Sequence, residues 1–256
     1  MKREITFDHL YKNGTVIVET ELYKQIHFPK MLNMYDANFI EFKSMPTLSL
    51  FIEMEAYLRG YHDKFGQKHV KFYFPVGEKL SDELASYLSE AEYETGFMEL
   101  YSINPKDFPR TEFDAAIEVR VVSEENQNVE LFLDLNYKHS LEYGKKFAEK
   151  KMELLYEQCQ GGEFLKLLAT YQGNPAGYVH VILSSGVAEI DDLHVDEIFQ
   201  KKRIGTALQR KVMDLFSDRT ILLIADGEDT PKEMYKKQNY HYLGFQYETC
   251  KVFELA

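Results

Sequence analysis

The stretch Leu193-His194-Val195-Asp196-Glu197-Ile198-Phe199-Gln200-Lys201-Lys202-Arg203-Ile204-Gly205-Thr206-Ala207-Leu208 combines three features that together can hold an anion. A strand-like apolar segment leads into a loop, the loop carries three consecutive cations, and small residues open a helical pattern. The first N–H groups of a helix have no partner inside it and sit at the positive end of its dipole. Gly205, Thr206 and Ala207 leave room for a phosphate or pyrophosphate to approach those groups, and Lys201, Lys202 and Arg203 add charge. The same residues also fit a solvated basic loop, because strand, loop and helix start is a common succession. Neither G-x-x-x-x-G-K-[ST] nor G-x-G-x-x-G occurs, which excludes two other phosphate loops. Gly161-Gly162-Glu163-Phe164 reads as a turn.

The elements around this window follow α/β order. Val187 to Val195 reads as the strand that enters the loop, and Gly205 to Asp218 as a helix with Leu208, Val212, Leu215 and Phe216 on one face. Ile221 to Ala225 is unbroken apolar, the pattern of a strand buried on both faces. Thr230-Pro231-Lys232-Glu233 is a capping box with proline at the first helical position; the helix ends near Asn239, and strands continue through Phe253. Upstream, Ala116 to Val122 is a strand, residues 127–142 and 144–158 are helical, and 164–171 pairs with 176–184 in a hairpin turning on Gly173-Asn174-Pro175.

The first half has its own α/β run. Asn38 to Lys43 alternates as a strand, Pro46 opens a helix to about Tyr61, and His69 to Pro75 is a strand. Ser81 caps a helix to about Ala91, and Tyr93 to Ile103 gives one or two strands. The order strand-helix-strand-helix-strand of 38–103 recurs in 187–253, and Tyr93-Glu94-Thr95-Gly96-Phe97 echoes Tyr240-His241-Tyr242-Leu243-Gly244-Phe245. The repeat is one of architecture rather than sequence identity. Asn104-Pro105-Lys106-Asp107-Phe108-Pro109-Arg110 is the seam, which predicts domains at 1–110 and 111–256.

The chain has 256 residues, with 30 Lys and Arg against 42 Asp and Glu, a formal net charge of -12. Such a surface disfavours non-specific binding to nucleic acid or anionic membranes and leaves room for a cationic substrate. Two cysteines, Cys159 and Cys250, lack metal-ligand spacing, so no metal is expected and a reducing cytoplasm suits the chain. No apolar run approaches about 18 residues, and Met1-Lys2-Arg3-Glu4 does not lead into one, which predicts neither leader peptide nor membrane span.

Residues 116–253 resemble the GNAT superfamily of acetyl-CoA-dependent N-acetyltransferases. The family pattern is a strand ending L-x-V, about four residues, then [Q/R]-x-x-G-x-[G/A]. Here Leu193 and Val195 are followed by Gln200, Lys201, Lys202, Arg203, Ile204 and Gly205, with Arg203 where the first glycine usually stands. The resemblance implies a mixed, twisted sheet flanked by helices, the acyl-CoA N-acyltransferase fold, in two related modules in tandem. It also implies acetyl-CoA as the acyl-donor cosubstrate. Backbone groups of the segment Leu193, His194 and Val195 would hold the pantetheine arm as an added strand. The arm would lie where the strands at 187–195 and 221–225 splay apart. The loop from Gln200, with the amides of Arg203 to Ala207, would hold the pyrophosphate.

The resemblance further places a general acid on the next short helix, in a context like Y-x-K-x-G-F. Met234-Tyr235-Lys236-Lys237-Gln238-Asn239-Tyr240 has that shape with Asn239-Tyr240 for Gly-Phe, so Tyr235 would protonate the leaving thiolate. A packed aromatic is the alternative reading of Tyr235. Family members often place the base on the motif strand, where Glu189, Asp191 and Asp192 lie. Alternation puts Glu189 and Asp191 on one face unless a bulge intervenes. Solvated or salt-bridged carboxylates are the alternative there. His180 and His194 are weaker candidates for the base. Neither cysteine lies near the loop, so nothing points to a covalent enzyme intermediate.

The expected activity is therefore transfer of an acetyl group to a primary amine by direct attack on the thioester. The acceptor would be a small molecule or a peptide, and the protein a monomer or homodimer. A non-catalytic acyl-CoA-binding or ligand-binding regulator is the alternative. The first module would be degenerate, because its corresponding link, Ser44-Met45-Pro46-Thr47, has no glycine and Pro46 has no N–H for a phosphate.

Overall fold

The computed structural model describes residues 5–123, 128–228 and 231–253. Hydrophobic periodicity sets most of the elements. In the first half these are β1 (Thr15–Glu19), β2 (Tyr23–His27), β3 (Phe39–Phe42), α1 (Leu48–Asp63), β4 (His69–Tyr73), α2 (Asp82–Glu90) and β5 (Glu94–Ile103). The second half follows with β6 (Ile117–Val121), α3 (Asn128–Ser140), α4 (Lys145–Cys159), β7 (Phe164–Tyr171), β8 (Asn174–Ser184) and β9 (Val187–Val195). It closes with α5 (Ile204–Leu215), β10 (Thr220–Asp226), α6 (Pro231–Lys237) and β11 (His241–Val252).

The chain folds into two units that interleave along the sequence. Residues 12–100, 225–228 and 243–253 form the amino-side unit; 5–11, 101–123, 128–224 and 231–242 form the carboxyl-side unit. The sequence suggested a contiguous division at 104–110; instead β5, β10 and β11 each contribute residues to both units.

The amino-side strands run in the order β1-β2-β3-β4-β11-β5. Its core is aromatic: Phe51, Met54 and Leu58 line one stripe of α1 at spacings of three and four residues and pack with Phe42, Phe72 and Phe74. Helix α1 begins at Leu48 rather than at Pro46. The Thr47 hydroxyl accepts from the Leu50 N–H, a side-chain cap that sets the start. Ser81 caps α2 in the same way, as expected.

In the carboxyl-side unit the strand order is β10-β9-β8-β7-β6. Helix α3 packs on β8 and α4 on β7, burying Val129, Phe132, Leu135 and Leu155 with Leu168 and Tyr178. Helix α5 packs on strands β6 to β9 through a stripe of buried Ile204, Leu208, Val212 and Met213. The β7–β8 hairpin turns on Gln172 and Gly173, both at positive φ, while Asn174 and Pro175 already belong to β8. The hairpin β1–β2 has no counterpart in the sequence reading, because β1 exposes nearly every side chain and so lacks alternation. The capping box at Thr230 lies outside the described residues.

The architectural repeat is present. Strands β3 and β4 pair in parallel on either side of α1, with Ile40 opposite Phe72; β9 and β10 pair in parallel on either side of α5, with Val187 opposite Thr220. This is the mixed α/β architecture expected.

Candidate active site

The loop after β9 is built by two residues in the left-handed region. Lys201 has φ 62° and Arg203 φ 65°, conformations that bring a penalty of about 1–2 kcal/mol for side chains other than glycine. Arg203 is the residue before α5 and offers no side-chain cap to it. The first backbone bond of the helix runs from the Ala207 N–H to the Arg203 carbonyl at 2.9 Å. The Ala207 amide is thus engaged inside the helix, which corrects its place among the anion donors. The N–H groups of Ile204, Gly205 and Thr206 precede that bond and point out of the open end of α5. Lys201, Lys202 and Arg203 are exposed around it, with Lys202 Nζ 4.9 Å from the Tyr171 ring. The first helix of the amino-side unit differs, since Thr47 occupies the corresponding end of α1 with its own hydroxyl.

Close packing fixes α5 against the strand that leads into the loop. A Cβ on Gly205 would meet Leu193 Cδ2 and Val195 Cγ2 at ordinary distances of 3.5 and 3.6 Å, so this glycine faces the sheet. Gly177 on β8 is tighter. A Cβ there would come within 2.6 Å of the His194 carbonyl oxygen and 3.4 Å of Ile204 Cγ2. Gly177 was not singled out from sequence, although a glycine inside a strand pattern is the signal for a close backbone approach.

Strand β9 changes character halfway. Its parallel register with β10 runs from Val187 opposite Thr220 to Ile190 opposite Leu223, and residues 191–195 lie beyond it. At the same point its register with β8 shifts: His180 faces Asp192 and Val181 faces Ile190, so Asp191 is the extra residue of a β-bulge. The bulge that the sequence left open brings Asp192 onto the face of Glu189, while the charge of Asp191 still acts on Glu189. Glu189 and Asp192, opposite Ile182 and His180, share the sheet face that α3 and α4 cover, and Asp191 is the exposed bulge residue.

The carboxyl group of Glu189 sits in an unusual environment. Glu189 is 3% exposed, and its Oε2 accepts a hydrogen bond from the backbone N–H of Tyr11 at 2.8 Å. Burial raises its pKa to about 8; the Tyr11 N–H opposes the shift, and the charge of Asp191 adds to it. Lys166, on β7 and 2% exposed, donates to Gln158 Oε1 at 2.9 Å. Burial pulls its pKa down to about 8, against the attraction of Asp191 foremost. Asp192 lies 3.9 Å from Lys151 Nζ and 3.8 Å from His180 Nδ1.

The histidines are tied into packing. His180 is buried and donates from Nε2 to Asn136 Oδ1 at 3.1 Å; burial foremost holds its pKa well below the ordinary value, so the ring is neutral. The imidazole of His194 stacks on His139 at 3.8 Å, and burial lowers its pKa as well. His139 Nδ1 in turn shares a 2.6 Å hydrogen bond with the Tyr178 hydroxyl.

Tyr235 lies half-buried on α6, its ring 5.3 Å from Tyr101 and 5.5 Å from Tyr240. Asn239, where the family pattern has glycine, has φ 67°, which asparagine tolerates better than most residues. Its side-chain N–H donates to the Asp107 carbonyl at 2.8 Å. That bond and the Tyr240 N–H donating to the Tyr235 carbonyl at 3.0 Å set the end of α6. Among the described residues no group of three or more His, Cys, Asp or Glu could hold a metal ion. No helix among them is long and apolar enough to cross a membrane.

A parallel strand pair whose ladder ends before a bulge, followed by a helix end without a side-chain cap and ringed with cations, is the arrangement that the resemblance to the GNAT superfamily implies for this window. Comparison with known families agrees: residues 132–240 match the model of the acetyltransferase (GNAT) family, and residues 5–101 match a domain of unknown function (DUF5613). The match to the GNAT family covers a domain-sized segment, 132–240, and the region before it matches a family of unknown function.

Among solved structures, a functionally unknown conserved protein from Staphylococcus epidermidis is 28% identical, with a TM-score of 0.88 over 98% of this chain and 99% of that one. A GCN5-related N-acetyltransferase from Kribbella flavida is 13% identical, TM-score 0.58, over 93% and 90% of the two chains. A tandem GNAT protein from the clavulanic acid biosynthesis pathway is 10% identical, TM-score 0.53, over 85% and 76%. The last two likenesses are likenesses of fold. A search of curated proteins found no match.

Proposed function

We propose that the carboxyl-side unit transfers an acetyl group from acetyl-CoA to a primary amine by direct attack of the amine on the thioester. The observation that carries the reading is Glu189, a buried carboxyl group with a raised pKa on the strand that leads into the anion-binding loop. An amine acceptor with a pKa near 10 must lose a proton before it is nucleophilic, and a carboxylate of pKa about 8 is a stronger base than an ordinary one. Oε1 and Oε2 of Glu189 are the atoms that would take that proton, directly or through water. Asp191 and Asp192, at and beside the bulge, supply negative charge that attracts a protonated amine.

The residues present fit a bound acetyl-CoA. The amides of Ile204, Gly205 and Thr206, with Lys201, Lys202 and Arg203, suit a pyrophosphate, and Leu193, His194 and Val195, paired with β8 on one side, lie beyond the β10 ladder, where a pantetheine arm would bond on the other. Acetyl-CoA supplies an activated acyl group as a thioester. Tyr235 would hold its phenolic proton for a thiolate of comparable basicity. A net charge of -12 favours cationic amines as acceptors.

Thermal unfolding with acetyl-CoA, CoA and ATP tests the reading. Ligand at 100 times its dissociation constant stabilises a fold by about 2.7 kcal/mol, a rise of several degrees at this size. Stabilisation by both CoA species and not by ATP, followed by acetylation within a panel of amines, is the expected result. No shift at millimolar CoA would remove the donor assignment.

A further inference from the structure

We propose that the backbone N–H of Tyr11 is the positioning group of the site's base, fixing Glu189 Oε2 and favouring its ionised form. The inference deepens the proposed function and rests on its assignment of Glu189. Residues 5–11 belong to the carboxyl-side unit, although Lys12 onward belongs to the other. They lie outside the span matched by the acetyltransferase family model, so the contact is supplied by this chain's own N-terminal segment.

The segment is anchored by packing. Phe7 is buried, the Leu10 N–H donates to the Phe7 carbonyl at 3.1 Å, and the Tyr11 ring meets Phe164 edge-on at 5.4 Å. Phe164 and Glu189 lie on one sheet face, because β7 pairs Phe164 with Ile182 and β8 pairs Ile182 with Glu189. The ring contact therefore delivers the adjacent amide to the carboxyl group. A buried carboxyl without a donor is driven neutral; one N–H aimed at an oxygen favours the carboxylate and chooses the rotamer. The tyrosine ring anchors the segment, and the hydrogen bond to the carboxyl group belongs to the backbone.

Proline tests this cleanly. It removes the N–H, and Leu10 already has φ -74° and ψ 145°, the region that a residue before proline adopts. In protein labelled with 13C at glutamate side-chain carboxyls, the Glu189 resonance, assigned by its loss in Glu189→Gln, is followed against pH. Tyr11→Ala, which keeps the N–H but loses the ring contact, should titrate closer to the parent protein than Tyr11→Pro does. Tyr11→Pro should titrate higher by about one to two pH units, the worth of a hydrogen bond to a charged group.

An unshifted midpoint in Tyr11→Pro overturns the proposal. If Tyr11→Pro does not fold, the unmodified protein decides. The Tyr11 amide proton should shift with the Glu189 midpoint, and an amide that ignores that titration overturns the proposal. Retained amine acetylation in Glu189→Gln, with the titrations as described, instead overturns the assignment of Glu189 as base and leaves the contact standing.

Discussion

The Tyr240 hydroxyl donates to Gln209 Oε1 at 2.8 Å, and both side chains are buried. Gln209 lies on α5, whose start is proposed to hold the pyrophosphate, and Tyr240 closes α6, which carries Tyr235. One hydrogen bond thus joins the helix proposed to hold the donor to the helix proposed to hold the acid. Tyr240→Phe leaves the Gln209 amide oxygen buried without its donor, a loss of about 1–3 kcal/mol. Its unfolding midpoint should fall by several degrees. The turnover number should fall more than CoA affinity does, because the α5 end is built by Arg203 and Gly205 rather than by Gln209. Equal losses in both would separate Tyr240 from the acid helix.

Gly177 should be the least replaceable glycine near the site. Gly177→Ala forces the β9 backbone at His194 or the start of α5 to move, since a Cβ and the carbonyl oxygen cannot share 2.6 Å. Overpacking of this kind destabilises by about 1–3 kcal/mol, and here it displaces the residues assigned to the donor. Gly60→Ala is the control. Gly60 lies within α1 with nothing within 4 Å of its virtual Cβ, so alanine should stabilise by up to about 1 kcal/mol through helix propensity. Calorimetric CoA affinity should drop for Gly177→Ala and hold for Gly60→Ala.

Arg203→Gly should stabilise the protein by about 1 kcal/mol. Glycine adopts φ 65° without the Cβ penalty that arginine meets there. The gain should read as a rise of about 2–4 °C in unfolding midpoint. Pyrophosphate-dependent affinity, compared between CoA and dephosphorylated pantetheine, should fall only by the worth of one exposed cation. A lower midpoint would mean that the arginine side chain holds the loop in some further way.

Much of the proposed carboxyl-side site is legible in the residues because it depends on backbone at fixed sequence offsets. Leu193, Val195, Gln200 and Gly205 sit on one continuous strand, loop and helix start, so spacing carries their geometry. The faces of β9 were not readable, since one bulge at Asp191 exchanges every side chain beyond it and leaves no mark in alternation. The Tyr11–Glu189 bond joins residues 178 apart through a backbone atom, which no residue type can signal. Gly177 and the left-handed Arg203 show the two opposite cases. The first is a glycine demanded by contact and visible as an oddity in a strand; the second is a position built for glycine that arginine fills.

Two groups give pH dependences of opposite sign. The Glu189 carboxyl has its pKa raised from 4.5 to about 8, so the folded protein binds more protons than the unfolded chain between those values. Its contribution to stability is full below about pH 4.5 and is lost as pH rises through about 8. His69, in the amino-side unit, is driven from 6.5 to about 3 by burial and by the neighbouring His62. Its contribution is present above about pH 6.5 and is lost as pH falls toward 3. Denaturant midpoints of the parent protein relative to Glu189→Gln should therefore decline from pH 5 to pH 8, while midpoints relative to His69→Gln should rise from pH 4 to pH 7. The rate of acetyl transfer should increase with pH up to about 8 in the parent, where at pH 7 about one tenth of Glu189 is ionised, and that limb should vanish in Glu189→Gln. A limb that persists in the variant would assign the base to another group.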